Sequence, residues 1–137
     1  MTIDAYTPST IKERIRERAL AMGFAAVGFA GPDSSAKTRQ GLAAFLAEGR
    51  HGGMGWLAAT PDRRQSPRGL WTGTRSVVVL ALDYGPPGDP LAHLNRPERG
   101  VIAAYAKGRD YHDVAKRLLK ELGTWVARTF EIGRAHV

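Results

Sequence analysis

The stretch Arg75-Ser-Val-Val-Val-Leu-Ala-Leu82 decides the fold class of this chain, because it is the clearest strand signal in the sequence. Its apolar, mostly β-branched residues run without alternation, which is typical of a strand buried on both faces of a sheet. We therefore predict a central strand here, covered on both sides. The apolar segments 24–30 and 101–106 are predicted to form two further strands.

Helices are predicted between and after these strands. The first follows Thr10 and Glu13, which fit a capping box, and ends at Gly23 as a left-handed residue. A second helix is predicted over about residues 35–48, and a long third helix opens with Asp110 as its N-cap. Helices that alternate with apolar strands predict an α/β fold, a layered sheet with flanking helices, with α+β as the alternative.

Residues 49–74 form a long connection that is rich in Gly, Pro, Arg and Trp, and long connections of this kind are often functional. It contains the pair Arg63 and Arg64, with Trp56 before the pair and Trp71 after it. Arg offers a planar fork for a phosphate, an amide carbonyl or a carboxylate, and Trp offers a face for stacking. The alternative is a surface loop that its two Trp side chains anchor to the core.

A second candidate site is Gly108-Arg-Asp-Tyr-His112, at the predicted start of the third helix. A helix start gathers free N–H groups and suits a polar or anionic ligand. Arg109 could pair with phosphate, Tyr111 could donate a hydrogen bond, and His112 could transfer a proton or ligate a metal. The alternative is that Asp110 only caps the helix while Arg109 is solvated and Tyr111 packs on the strand.

Composition limits the classes of function. The 137 residues suffice for about one domain, and they contain no cysteine, which excludes a disulfide scaffold, a cysteine nucleophile and cysteine-ligated metal within this stretch. The four His show no zinc-site spacing, so we predict no metal site, and no apolar run is long enough to predict a membrane helix. The net charge of +7 favours a polyanion such as RNA, or reflects Arg residues dispersed over a solvated surface.

Taken together, several segments resemble the N-terminal domain of the epoxyqueuosine reductases. The resemblance covers about residues 11–130 and depends on the order and the intervals of the segments more than on any single one. The segments are Met22-Gly-Phe-Ala-Ala-Val-Gly28, His51-Gly-Gly-Met-Gly-Trp56, Arg63-Arg-Gln-Ser-Pro67 with Leu70-Trp71, Arg75-Ser-Val-Val78 and Tyr105-Ala-Lys-Gly-Arg-Asp-Tyr-His112.

The resemblance implies a cytoplasmic, monomeric oxidoreductase that acts in queuosine biosynthesis and is not bound to a membrane. Enzymes of this family bind cobalamin, carry two 4Fe–4S iron–sulfur clusters, and reduce the epoxide of epoxyqueuosine in tRNA. By the same resemblance, the N-terminal domain supplies much of the cobalamin pocket. Its architecture is similar to that of reductive dehalogenases and of flavin-like cobalamin-processing proteins.

The resemblance also implies which residues bind the cofactor. Arg64 falls where the family contacts cobalamin, and its fork suits an amide of the corrin side chains. Ala103 falls on a strand position that borders the corrin, where Ala permits only backbone and van der Waals contact. Many relatives have Ser-Arg where this chain has two Ala residues. Further cofactor-binding candidates are Tyr105, Asp110 and His112.

We expect residues 1–130 to form an incomplete cobalamin-binding domain. Residues 131–137 look like a translated sequencing-adapter sequence and are set aside. The family's catalytic acid and cluster cysteines are then expected beyond Phe130, so no catalytic residue is assigned and the 137 residues alone are predicted to be inactive. Two alternatives remain open: a small basic RNA-binding module, and a flavin-dependent reductase domain of the same architecture.

Overall fold

A computed structural model describes residues 7–85, 88–89 and 91–131. These residues fall into two compact units. One unit runs from Gly28 to Val79. The other, which we call the flanking unit, combines the residues up to Val27 with those from Leu80 onward. The elements in chain order are α1 (Pro8–Ala21), β1 (Ala26–Ala30), α2 (Ala36–Ala47), α3 (Gly55–Ala59), α4 (Pro61–Arg64), α5 (Pro67–Leu70), β2 (Val77–Ala81), two 3₁₀ turns (Ala92–Asn95 and Ala104–Ala106) and α6 (Tyr111–Phe130).

The flanking unit has a core built by α1 and α6. Leu118 and Leu122 of α6 are buried against Ala19 of α1 and against Phe24, which follows that helix. Each Leu burial removes apolar surface from water and stabilises the unit by about 1.5–3 kcal/mol. The 20-residue α6 keeps a charged outer face. Across the described ranges, neither α6 nor another helix is both long enough and apolar enough to cross a membrane.

The helix ends follow local chemistry, with one correction. The N-cap of α1 is Thr7, whose Oγ1 accepts a hydrogen bond from the Thr10 backbone N–H at 3.3 Å. The predicted capping box that begins at Thr10 is therefore wrong, because the helix starts one turn earlier. Gly23 has a φ of +101° and ends the helix segment as predicted. Ser35 caps α2 by accepting from the Thr38 N–H at 3.1 Å.

The sheet is smaller than the sequence predicts. β1 and β2 pair antiparallel, since the N–H of Ala25, just before β1, donates to the carbonyl of Ala81 at the end of β2. The prediction that β2 is covered on both faces is wrong for the described residues, where Val79 is 54% exposed. β1 is the one strand paired with it there, which leaves much of its apolar surface uncovered.

The third predicted strand, over residues 101–106, is not formed. Residues 101–103 are irregular, and the Ala106 N–H donates to the Ala103 carbonyl at 3.0 Å to close a 3₁₀ turn. This local bond uses backbone groups that a strand would direct to a neighbour. The resulting mixture of helices with a small sheet is compatible with the α/β class.

Candidate functional site

Three short helices, α3 to α5, lie within the long connection of residues 49–74, in the unit of residues 28–79. Pro61 and Pro67 begin α4 and α5, where a missing N–H costs nothing. The Ser66 Oγ caps α5 by accepting from the Gly69 N–H at 3.0 Å. Gly69 is required by close packing, because a Cβ there would collide with the backbone carbonyl of Asp62 in α4.

Arg64 is held in place by two contacts. Its guanidinium carbon lies 4.3 Å from the centre of the Trp56 ring, and its Nε donates to the Thr60 Oγ1 at 3.3 Å. Trp56 is itself 56% exposed, so it is a stacking platform for Arg64 and not an anchor in the core. The two amino groups of Arg64 have no carboxylate partner among the residues that the structure describes.

A cleft of about 410 Å³ lies beside this arginine. It is lined by Ser34, Thr60, Arg63, Arg64, Ser66, Pro67 and Leu70. Two guanidinium groups and three hydroxyl groups thus surround one opening, a set that suits oxyanions or carbonyl oxygens.

Arg68, just beyond the cleft lining, is paired differently. Its Nε and Nη2 donate to the two carboxylate oxygens of Asp33 at 2.9 and 3.2 Å. The side-chain hydrogen bond from Arg68 holds the pKa of Asp33 below its ordinary value. The charge of Arg68 is therefore largely matched, and the guanidinium charge that borders the cleft is that of Arg63 and Arg64.

The second candidate region lies at the start of α6, in the flanking unit. Asp110 is the N-cap as predicted, and its Oδ1 accepts from the His112 backbone N–H at 2.8 Å. The same oxygen lies 2.8 Å from the His112 Nδ1. These two hydrogen bonds, the backbone one first, hold the pKa of Asp110 below its ordinary value. The ring of Tyr111 stacks on that of His112, with centroids 4.1 Å apart, and also on Tyr84 at 5.8 Å.

The remaining predicted site residues are exposed. Ala103 lies in the irregular segment before the 3₁₀ turn and not on a strand, so its predicted strand position is wrong. Tyr105 lies within that turn, and its ring is exposed. In the described part of the chain, no hydrogen bond or ring contact links Ala103 or Tyr105 to the pair of Asp110 and His112.

Three contributors to these sites were missed from the sequence. Ser34 and Thr60 line the cleft with Arg64, and Tyr84 joins the stack on Tyr111. Ser34 and Tyr84 come from distant parts of the chain and carry no local signal. Thr60 lies four residues before Arg64, a spacing that brings side chains together on a helix and could have indicated this contact.

The arginine cleft fits a ligand rich in amide carbonyls. The two amino groups of Arg64, which have no carboxylate partner in the described part of the chain, can donate to such carbonyls. The corrin ring of cobalamin carries several amide side chains. Within the described ranges, no group of three His, Asp or Glu side chains is placed to hold a metal ion.

Comparison with known proteins places the chain in a family. The family model described as "Epoxyqueuosine reductase QueG, DUF1730" matches residues 64–137. A protein named epoxyqueuosine reductase from Alicycliphilus denitrificans is 39% identical over 126 residues, 87% of this chain and 35% of that protein. A protein of the same name from Vibrio cholerae is 34% identical, over 90% of this chain and 33% of that protein. One from Escherichia coli is 33% identical, over 85% of this chain and 31% of that protein.

The chain thus spans about a third of the length of the curated relatives it matches. No solved structure gives a significant match. Because the family model covers more than half of the chain, the chain belongs to the epoxyqueuosine reductase family.

Proposed function

We propose that this chain is the N-terminal, cobalamin-binding part of an epoxyqueuosine reductase. The full-length protein is then a cytoplasmic, monomeric oxidoreductase that reduces epoxyqueuosine in tRNA to queuosine. Family membership supports the reaction. The observation that supports cofactor binding in this part of the chain is Arg64, oriented by Trp56 and Thr60 beside an open cleft.

Bound cobalamin would supply the reducing centre that acts on the epoxide. In this proposal Arg64 donates hydrogen bonds to an amide carbonyl of the corrin. Ala103 contributes van der Waals contact only, because its side chain is a methyl group. Tyr105 and His112 offer further polar contacts, and Asp110 holds the His112 ring by its hydrogen bond.

In this proposal, residues outside this stretch deliver the electrons. The 137 residues contain no cysteine and therefore no thiolate ligand for the iron–sulfur clusters of the proposed enzyme. We also assign no catalytic acid to them. We propose that these residues alone do not reduce epoxyqueuosine tRNA, and that residues 131–137 derive from an adapter sequence. Turnover by the purified 137-residue chain would contradict the first proposal, and the genomic sequence of the locus tests the second.

Cobalamin retention by the full-length enzyme tests the cofactor assignment. Arg64→Ala is expected to weaken retention about ten- to a hundredfold, as for the loss of a charged-donor hydrogen bond. Arg64→Lys should recover only part of this, since an ammonium group lacks the planar fork. Arg68→Ala is the matched control, because Arg68 pairs with Asp33 outside the cleft lining.

The absorbance spectrum of the enzyme, purified anaerobically with cobalamin supplied, is the measurement. A flavin spectrum without retained cobalamin would overturn the proposal in favour of a flavin-dependent reductase. The charge that Arg63 and Arg64 place on the cleft also favours a second candidate, a basic RNA-binding module. In that case Arg64→Ala would leave cobalamin occupancy unchanged and weaken tRNA binding in a salt-dependent way.

A further inference from the structure

An aromatic stack lies exposed at the start of α6. Tyr111 stacks on His112 with an angle of 27° between the ring planes, and on Tyr84 with an angle of 21°. Tyr84 is 60% exposed, and the His112 side chain is 62% exposed. The three rings, which we call the aromatic stack, therefore present ring surface to solvent.

The exposure of these rings is not explained by the core of their own unit. That core is built from aliphatic residues of α6 with Ala19 and Phe24, and none of the three rings belongs to its buried cluster. Exposed large aromatic groups that lie together are more informative than single exposed apolar residues, because they commonly mark an interaction surface.

The rings are also held before any ligand arrives. Asp110 accepts from the His112 backbone N–H, and the same oxygen is 2.8 Å from the ring nitrogen Nδ1. Tyr111 is the first residue of α6, and Tyr84 follows closely on β2. A ligand that stacks on rings already in place avoids much of the entropy cost of ordering them.

Both basic and acidic residues lie close to the stack along the chain. Lys107, Arg109 and Lys116 lie within four residues of Tyr111 or His112, as do Asp110 and Asp113, and Asp83 directly precedes Tyr84. Lys116 helps to lower the pKa of Asp110, whose carboxylate is hydrogen-bonded to His112 of the stack. Exposed aromatic rings interleaved with basic side chains are the usual means of binding unpaired nucleotides.

We propose that the aromatic stack binds, by ring stacking, the base of an unpaired nucleotide. Two sources share this chemistry: an unpaired base of the RNA substrate and the base of the cobalamin nucleotide. The proposal deepens the proposed function and rests on it for the identity of these ligands. It assigns to Tyr84 a role that is independent of the Arg64 cleft.

The test uses the full-length enzyme with two probes, a fluorescently labelled single-stranded oligoribonucleotide and hydroxocobalamin. Tyr84→Ala is expected to weaken binding of one probe about five- to a hundredfold, the usual effect of removing a stacking ring. Tyr84→Phe keeps the ring and should bind nearly as the wild type does. Leu94→Ala is the matched control, because Leu94 is 64% exposed and is not part of the aromatic stack.

The two probes distinguish the source of the base. Weaker RNA binding with unchanged cobalamin retention identifies the RNA base, and the reverse identifies the cofactor base. Unchanged affinity for both probes in Tyr84→Ala, with normal folding, overturns the proposal. Failure of the proposed function is seen separately, as a wild-type enzyme that retains no cobalamin, and it leaves the RNA measurement interpretable.

Discussion

The guanidinium group of Arg64 in α4 lies over the ring of Trp56 in α3, with its carbon 4.3 Å from the ring centre. Thr60 lies between the two short helices, and Pro61 begins the second one. The contact and the Thr60 hydrogen bond restrict an otherwise flexible side chain. Arg64 thereby has its amino groups free beside the cleft at little further entropy cost.

Removal of the Trp56 platform should weaken cobalamin binding indirectly. An exposed cation–π contact contributes about 0.5–1 kcal/mol. Trp56→Leu in the full-length enzyme is therefore expected to lower cobalamin affinity about two- to fivefold, less than Arg64→Ala does. Titration with cobalamin measures this, and Trp56→Phe should restore part of the affinity. Equal loss in Trp56→Leu and Arg64→Ala would show that Trp56 contacts the ligand itself.

Replacement of Gly69 by Ala should disturb the packing of α4 against α5. The added methyl group would overlap the Asp62 carbonyl, and such overpacking costs about 1–3 kcal/mol. The matched control is Gly41→Ala in α2, where no atom lies within 4 Å of the added methyl group. There Ala should stabilise the helix by about 0.5–1 kcal/mol. Thermal unfolding should show a lower melting temperature for Gly69→Ala and a higher one for Gly41→Ala than for the wild type.

Leu122→Ala should strongly destabilise the unit that contains α6. Leu122 is 4% exposed and lies in the same buried cluster as Leu118 and Phe24. A Leu-to-Ala change in a packed core costs about 2–5 kcal/mol, from lost burial and the cavity left behind. Lys120→Ala on the exposed face of α6 should change the free energy of unfolding by less than about 0.5 kcal/mol. Similar values for the two variants in denaturant unfolding would contradict the assigned core.

Stability should depend on pH through Asp110. Its pKa lies below the ordinary value because the His112 backbone N–H and ring hydrogen-bond to the carboxylate, with a smaller contribution from Lys116. The folded protein therefore binds this proton less readily than the unfolded chain does. The stabilising contribution is complete above the ordinary pKa of about 4 and is lost as the pH falls through the lowered folded value.

Asp110→Asn isolates this contribution, since Asn caps a helix about as well as Asp but does not titrate. The melting temperature of the wild type minus that of the variant is expected to decrease as the pH falls from about 6 to about 3. A difference that stays constant over this range would show that Asp110 acts only as a neutral cap.

Local signals along the sequence predicted the three long helices, α1, α2 and α6. Gly23, Ser35 and Asp110 mark helix ends through bonds that span two to four residues, so the sequence alone suffices to place them. The predicted cap of α1, Thr10, lies one turn after the cap that the structure shows, Thr7, because both threonines carry a hydroxyl group that can accept a hydrogen bond. The family too could be identified from ordered motifs, and the comparisons confirm it.

The sequence by itself determined the three long helices and the two strands that form, which depend on residues close together along the chain, and it identified the family. The tertiary structure decided how much of β2 is covered and that residues 101–106 turn instead of extending, since a strand needs a partner that its own residues cannot specify. It also decided that Trp56 supports Arg64 and that Tyr84 reaches Tyr111. These contacts depend on where turns redirect the chain, and no pattern of neighbouring residues encodes that direction.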